Sequence, residues 1–129
     1  MAINKAGVEL LKADLRANAA AYKQNTFGAV TDCGTEQCMA GFCRIRELGI
    51  EQYVAEISSD NFPDLCVSSG INQLGIKLYD PQIFDHIGNW PYDLREAYRK
   101  ANDSDARVEV ACAALDRLQD DGSIAEVSE

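Results

Sequence analysis

The chain has 129 residues, 47% hydrophobic and 26% charged, enough for one folded domain with its own core and too few for a usual two-domain enzyme. Its formal net charge of -9, from 21 acids against 12 bases, repels phosphate backbones and anionic lipid, so neither direct nucleic-acid binding nor membrane binding is expected. No apolar run reaches membrane-spanning length and the start Met1-Ala2-Ile3-Asn4-Lys5 lacks the apolar stretch of a secretory signal. Five scattered cysteines, at 33, 38, 43, 66 and 112, suit free thiols in a reducing compartment, so the expected address is cytoplasmic.

In chain order, Val8, Leu11, Leu15, Ala19 and Tyr22 recur at helical spacing, with Lys12, Arg16 and Lys23 on other faces, and predict an amphipathic first helix. Gln24 to Gly34 is rich in turn formers and reads as a loop or short irregular ribbon. Thr35 is placed to cap a second helix over about Glu36 to Leu48, Glu36 complementing its dipole and Gly49 stopping it. Gly41 inside that helix costs about 1 kcal/mol relative to alanine, so a close neighbour is the expected compensation. Glu51 to Ser58 reads as a short helix with Tyr53, Val54 and Ile57 apolar. Asp60 or Asn61 ahead of Pro63 starts another, carrying Leu65, Cys66, Ile71 and Leu74 and ending at Gly75. Asp80-Pro81 restarts the chain as a helical turn with Ile83, Phe84 and Ile87 before Gly88, and Pro91 opens a helix through Lys100. Asn102 or Ser104 begins the last helix, whose Val108, Ala111, Cys112, Leu115 and Leu118 form one stripe ending near Gly122. No segment alternates with period two for long enough to nominate a strand, and there is no internal repeat. The expected fold is all-α: a compact bundle of about five to seven short helices, with the ribbon near residues 24–34. Residues 1–122 form one helical domain and 123–129 an acidic C-terminal tail.

The run Cys33-Gly34-Thr35-Glu36-Gln37-Cys38-Met39-Ala40-Gly41-Phe42-Cys43 suggests zinc first, since thiolates are its preferred soft ligands. On a helix Cys38 and Cys43 lie about 140° apart around the axis and cannot share an ion without unwinding. Cys33 with Cys38 would still need ligands from Cys66, Cys112 or the lone His86, so no metal and no cofactor is expected. Cys38, beside Met39, Phe42 and Ile45, and Cys112 read as small core residues. A helix start lowers a thiol pKa, which makes Cys33 the alternative as a nucleophile, with His86 as its base and Asp85 or Asp80 as orienter. Serine triads, phosphate-binding glycine loops and dinucleotide fingerprints are lacking.

Charge is uneven along the chain: residues 1–50 hold six bases and five acids, residues 51–100 four and eight, residues 101–129 two and eight. An acidic face built by the last two helices is the resulting expectation, with Asp116, Asp120 and Asp121 as binding residues and Trp90 and Tyr92 as anchors. Trp90 also reads as a core residue fixing the following helix, and Arg46 as running its stem along the core rim to meet an acid.

Cys33-Gly34-Thr35, two residues, then Cys38-Met39-Ala40-Gly41-Phe42 resembles a CGT-x-x-C-hydrophobic-A-G-aromatic signature of short bacteriophage and bacterial proteins with no established activity. Leu74-Gly75, Leu78-Tyr79, Trp90-Pro91 and Tyr98 are similar to that group's later pattern, and the likeness covers roughly residues 27 to 120. The resemblance implies a helical scaffold and a phage or mobile-element accessory role that blocks a host defence or regulatory machine. The expected partner is a host protein with a basic surface, met in the host cytoplasm, and self-association stays open. A small structural zinc or ligand-binding protein, and the Cys33 enzyme, are the alternatives.

Overall fold

The computed structural model describes residues 3–24, 29–31, 34–58, 71–75, 90–120 and 123–126. The fold is all-α, with five helices of eight residues or more among those residues and one short two-stranded ribbon.

Helix α1 (Lys5–Ala17) starts at Asn4, whose side-chain oxygen accepts from the Gly7 N–H at 3.2 Å, and buries Val8, Leu11 and Leu15. It does not run on to Tyr22 as its apolar spacing predicts. Asn18 donates its side-chain amide to the Asp14 carbonyl at 3.0 Å, competing with the backbone ladder. The chain passes into a 3-10 turn (Ala19–Ala21) and Tyr22 is extended. Ala19 and Tyr22 are nevertheless core residues, delivered by a turn rather than by helical period.

The ribbon lies later than expected, as antiparallel strands β1 (Ala29–Thr31) and β2 (Gly34–Glu36) in the register Ala29 to Glu36, Val30 to Thr35 and Thr31 to Gly34. Thr35 therefore caps nothing and Glu36 is no first-turn acid: both spend their backbone on β1. Gln37 continues the pattern against the 3-10 turn, its N–H donating to the Ala21 carbonyl and its carbonyl accepting from the Lys23 N–H, both at 2.9 Å. Helix α2 (Met39–Leu48) begins only after that, with Cys38 at its cap position.

Gly49 stops α2 as expected. Its φ of +86° is a conformation that side chains disfavour, and its N–H donates to the Ile45 carbonyl at 2.7 Å. Helix α3 (Ile50–Ile57) starts at the next residue, so this glycine is the whole corner between the two helices. One turn, α4 (Ile71–Leu74), docks on the start of α1, and Gly75 at φ +82° ends it. The helix starts expected at Asp60, Asn61 and Asp80-Pro81, with Leu65, Cys66, Ile83, Phe84 and Ile87, lie outside the described residues.

Helix α5 (Tyr92–Lys100) opens with Pro91 at its cap position, where the carbonyl accepts from the Leu94 and Arg95 N–H groups. Helix α6 (Ser104–Asp116) is capped by Asp103, the residue between the two expected starters, whose carboxylate accepts from the Ala106 N–H at 2.8 Å. It ends at Asp116, short of Gly122. Leu118 leaves the helix and bridges to Ile124 in antiparallel sense, with the Gln119 N–H on the Ser123 carbonyl and the Ala125 N–H on the Arg117 carbonyl. Ile124 is a core residue, so the segment from residue 123 that reads as a solvated tail is stitched to the domain through Ala125.

Helix α1 packs on both α6 and α2, α5 on α6, and α2 on α3. The core they share holds Leu11, Leu15, Met39, Tyr53, Leu74 and Val108 with Cys38, Cys43 and Cys112. Tyr98 meets Trp90 edge-on at 5.8 Å and Tyr22 edge-on at 6.3 Å between ring centres. Gly41 is buried among these side chains. Ion pairs lace the helices at the rim: Arg16 to Glu109, Lys12 to Asp116, Arg46 to Asp14 and Arg117 to Asp93. Among the described residues no helix is long and apolar enough to cross a membrane.

Candidate functional site: an acid-rimmed groove

The first turns of α1, the end of α6 and the returning segment after it enclose a groove of about 390 Å³. Buried Val8 and Leu115, with half-buried Leu118, supply its apolar floor, while Glu9, Asp116, Asp120 and Lys5 stand exposed around it. Helical spacing puts Val8 inward and Glu9 outward on α1, and the end of α6 at Asp116 lets Leu118 turn back over the floor.

Lys12 organises the rim. Its ammonium donates to Asp116 at 2.5 Å and to Glu9 at 2.6 Å, and its side chain is only 12% exposed, whereas both carboxylates face solvent. Those hydrogen bonds, to Asp116 first and Glu9 second, raise the Lys12 pKa above its ordinary value, so the ammonium stays charged beneath them. Asp120 accepts from the Ile3 N–H at 2.9 Å, which ties the start of α1 to the end of the domain. Three carboxylates thus surround the groove against one sunken ammonium and Lys5.

Two of the expected binding residues, Asp116 and Asp120, meet here; Asp121 lies outside the described residues. Sequence reasoning missed Glu9 and Lys12. Their i, i+3 spacing on a helix was a readable signal for that pair, but nothing local links Lys12 to a carboxylate 104 positions away. The broader expectation of an acidic face over the last two helices is corrected, since Tyr92 to Arg117 holds six acids and five bases, tied in pairs such as Asp93 with Arg117 and Glu96 with Arg99. The sequence after Arg117 carries Asp120, Asp121, Glu126 and Glu129 and no further Lys or Arg.

Trp90 is not a surface anchor. It is 2% exposed, so its ring serves the core, the other reading the sequence allowed. Tyr92 is 68% exposed, with the Arg95 guanidinium 5.8 Å from its ring centre, away from the groove's lining. Arg46 behaves as expected, forking onto Asp14 at 2.7 and 2.8 Å. Cys33 and His86, the thiol and base of the alternative enzyme, lie outside the described residues. Cys38, Cys43 and Cys112 are buried, and burial pushes the Cys112 pKa up, which keeps it protonated and a poor nucleophile. Among the described residues no group of three or more His, Cys, Asp or Glu is placed to hold a metal ion. Comparison with protein families, with curated proteins and with solved structures finds no match.

Proposed function

We propose that the protein is a small binding module that covers a basic surface of a protein partner, with the acid-rimmed groove as the contact. The supporting observation is the convergence of Glu9, Asp116 and Asp120 around an apolar floor. That arrangement suits a segment bearing Lys or Arg beside apolar side chains, which bury their stems on Val8, Leu115 and Leu118 while their heads meet the rim. The resemblance of the run from Cys33 to Phe42 to short phage and bacterial proteins supports, within this reading, a partner in a host defence or regulatory machine that is blocked by occlusion.

Amide chemical shifts during titration with a short leucine–arginine peptide test the reading, alongside the same peptide with glutamate in place of arginine. The arginine peptide is expected to move the signals of Glu9, Leu118 and Asp120 and the glutamate peptide to move none. Equal response to both peptides, or shifts confined to the Tyr92 region, contradicts it.

A further inference from the structure

Helix α5 turns one face to the core and leaves the other exposed. Leu94 is buried and Tyr98 packs on Trp90 and Tyr22, whereas Tyr92, Arg95 and Arg99, spaced i, i+3 and i+7, stand in solvent on the opposite side. Tyr92 is the most exposed large hydrophobic side chain among the described residues, and the Arg95 guanidinium lies 5.8 Å from its ring centre. Arg99 is spent on Glu96, forking onto it at 2.6 and 3.2 Å. Arg95 makes no ion pair among the described residues, so this face offers an aromatic ring with one unmatched positive charge beside it.

A cation next to apolar surface is the chemistry proposed above for the occupant of the acid-rimmed groove. There Glu9, Asp116 and Asp120 stand against Lys12 and Lys5, three carboxylates to two ammonium groups, over the apolar floor of Val8, Leu115 and Leu118. The two surfaces lie at the same end of the molecule. Asp93, the second residue of α5, is bonded to Arg117 at 2.5 and 3.2 Å, and Arg117 directly follows the groove residue Asp116. Tyr92 and Arg95 are nevertheless absent from the lining of their own groove.

We propose that the groove is occupied by a second copy of this chain, the Tyr92–Arg95 face of α5 in each copy docking in the groove of the other to form a two-fold dimer. This rests on the reading of the groove as a contact for basic segments and names one such segment. Because both surfaces sit at one end, a two-fold axis there applies the same contact twice and closes the assembly at two copies. The Tyr92 ring lies on the apolar floor and Arg95 meets the rim at Glu9 and Asp120, so the charge left over on each surface is answered by the other. Any other basic partner then competes with α5, and dilution of the dimer opens the groove to it.

Sedimentation velocity of the full chain over about a hundredfold dilution, at low and at physiological salt, tests the proposal, with amide chemical shifts followed through the same series. Dimer is expected at the concentrated end and monomer on dilution or added salt, the signals of Tyr92 and Arg95 moving together with those of Glu9, Leu118 and Asp120. Arg95→Glu alone, and Glu9→Gln with Asp120→Asn, should each weaken the dimer at least about tenfold, because every substitution is felt at two contacts. An equal mixture of these two variants should form more dimer than either alone, since one intact helix then meets one intact groove. A monomer across the whole series, shifts that avoid either surface, growth beyond two copies, or a mixture no more associated than its components overturns the proposal. If the chain stays monomeric yet binds the leucine–arginine peptide in the groove, the self-contact alone is lost and the groove reading stands; failure of both loses both. The dilution series on the unaltered protein decides the matter even if a variant does not fold.

Discussion

A methyl group added at Gly7 would sit 1.9 Å from the Gln73 carbonyl oxygen, a backbone atom that cannot swing aside. The same approach lets the Gln73 side chain donate to the Gly7 carbonyl at 3.2 Å and the Asn4 N–H reach the Leu74 carbonyl at 3.0 Å. Gly7→Ala should therefore lower stability by about 1–3 kcal/mol in urea unfolding, despite alanine's better helix propensity. Trp90 gives the complementary case. Its alanine variant should lose about 3–5 kcal/mol of stability while the fraction still folded binds the arginine peptide unchanged, because the ring belongs to the core. Loss of peptide affinity at unchanged stability would restore Trp90 as an anchor.

Between elements, the rim pairs decide how the fold responds to acid. Hydrogen bonds from Arg117 hold the Asp93 carboxyl below its usual range, and Arg16 does the same for Glu109. A carboxylate with a lowered folded-state pKa contributes stability that is complete above its unfolded value, near pH 4, and is lost as pH falls through the depressed one. The melting temperature should accordingly be flat above about pH 5 and fall below it, and Arg117→Gln should make that fall shallower. An unchanged acid limb in the variant would remove Asp93 from the explanation. The returning segment after α6 is testable in the same way: deleting residues 123–129 withdraws buried Ile124 and should cost about 1.5–3 kcal/mol, whereas a free tail would cost nothing.

How far these elements could be read from sequence depended on whether the deciding contact was local. Gly49, Gly75 and Pro91 mark real boundaries because their backbone constraints act within a residue or two. The cap at Asp103 is equally local and lies one position from either expected starter, Asn102 or Ser104. Sequence alone starts the second helix three residues early, since Thr35 is an excellent cap until a partner strand claims its backbone, and carries the first helix past Asn18 because the spacing of Ala19 and Tyr22 mimics its period. The groove was half legible. Asp116 and Asp120 are conspicuous acids in a base-poor stretch, but Glu9 and Lys12 join them only through the packing of α1 on α6.

At the scale of the molecule, part of the lopsided charge along the chain is an internal complementarity among the described residues. Lys12 and Arg16 in the first half meet Asp116 and Glu109 in the second, and the stretch after Arg117, whose Asp120 lines the groove, carries acids and no Lys or Arg. A surplus so placed should steer basic partners toward that end, and added salt should slow their association. Glu9→Gln with Asp120→Asn is the informative variant, because both amides can still accept the existing hydrogen bonds, and Asp116 is left in place to keep Lys12 paired. The most direct measurement is the affinity of the leucine–arginine peptide for the unaltered protein and for this double variant across a salt series. Affinity that falls with salt in the unaltered protein, and is roughly two- to fivefold weaker per removed charge with a flatter salt dependence in the variant, is the expected result. Salt-independent binding that is the same in both proteins would contradict the groove as an electrostatic contact.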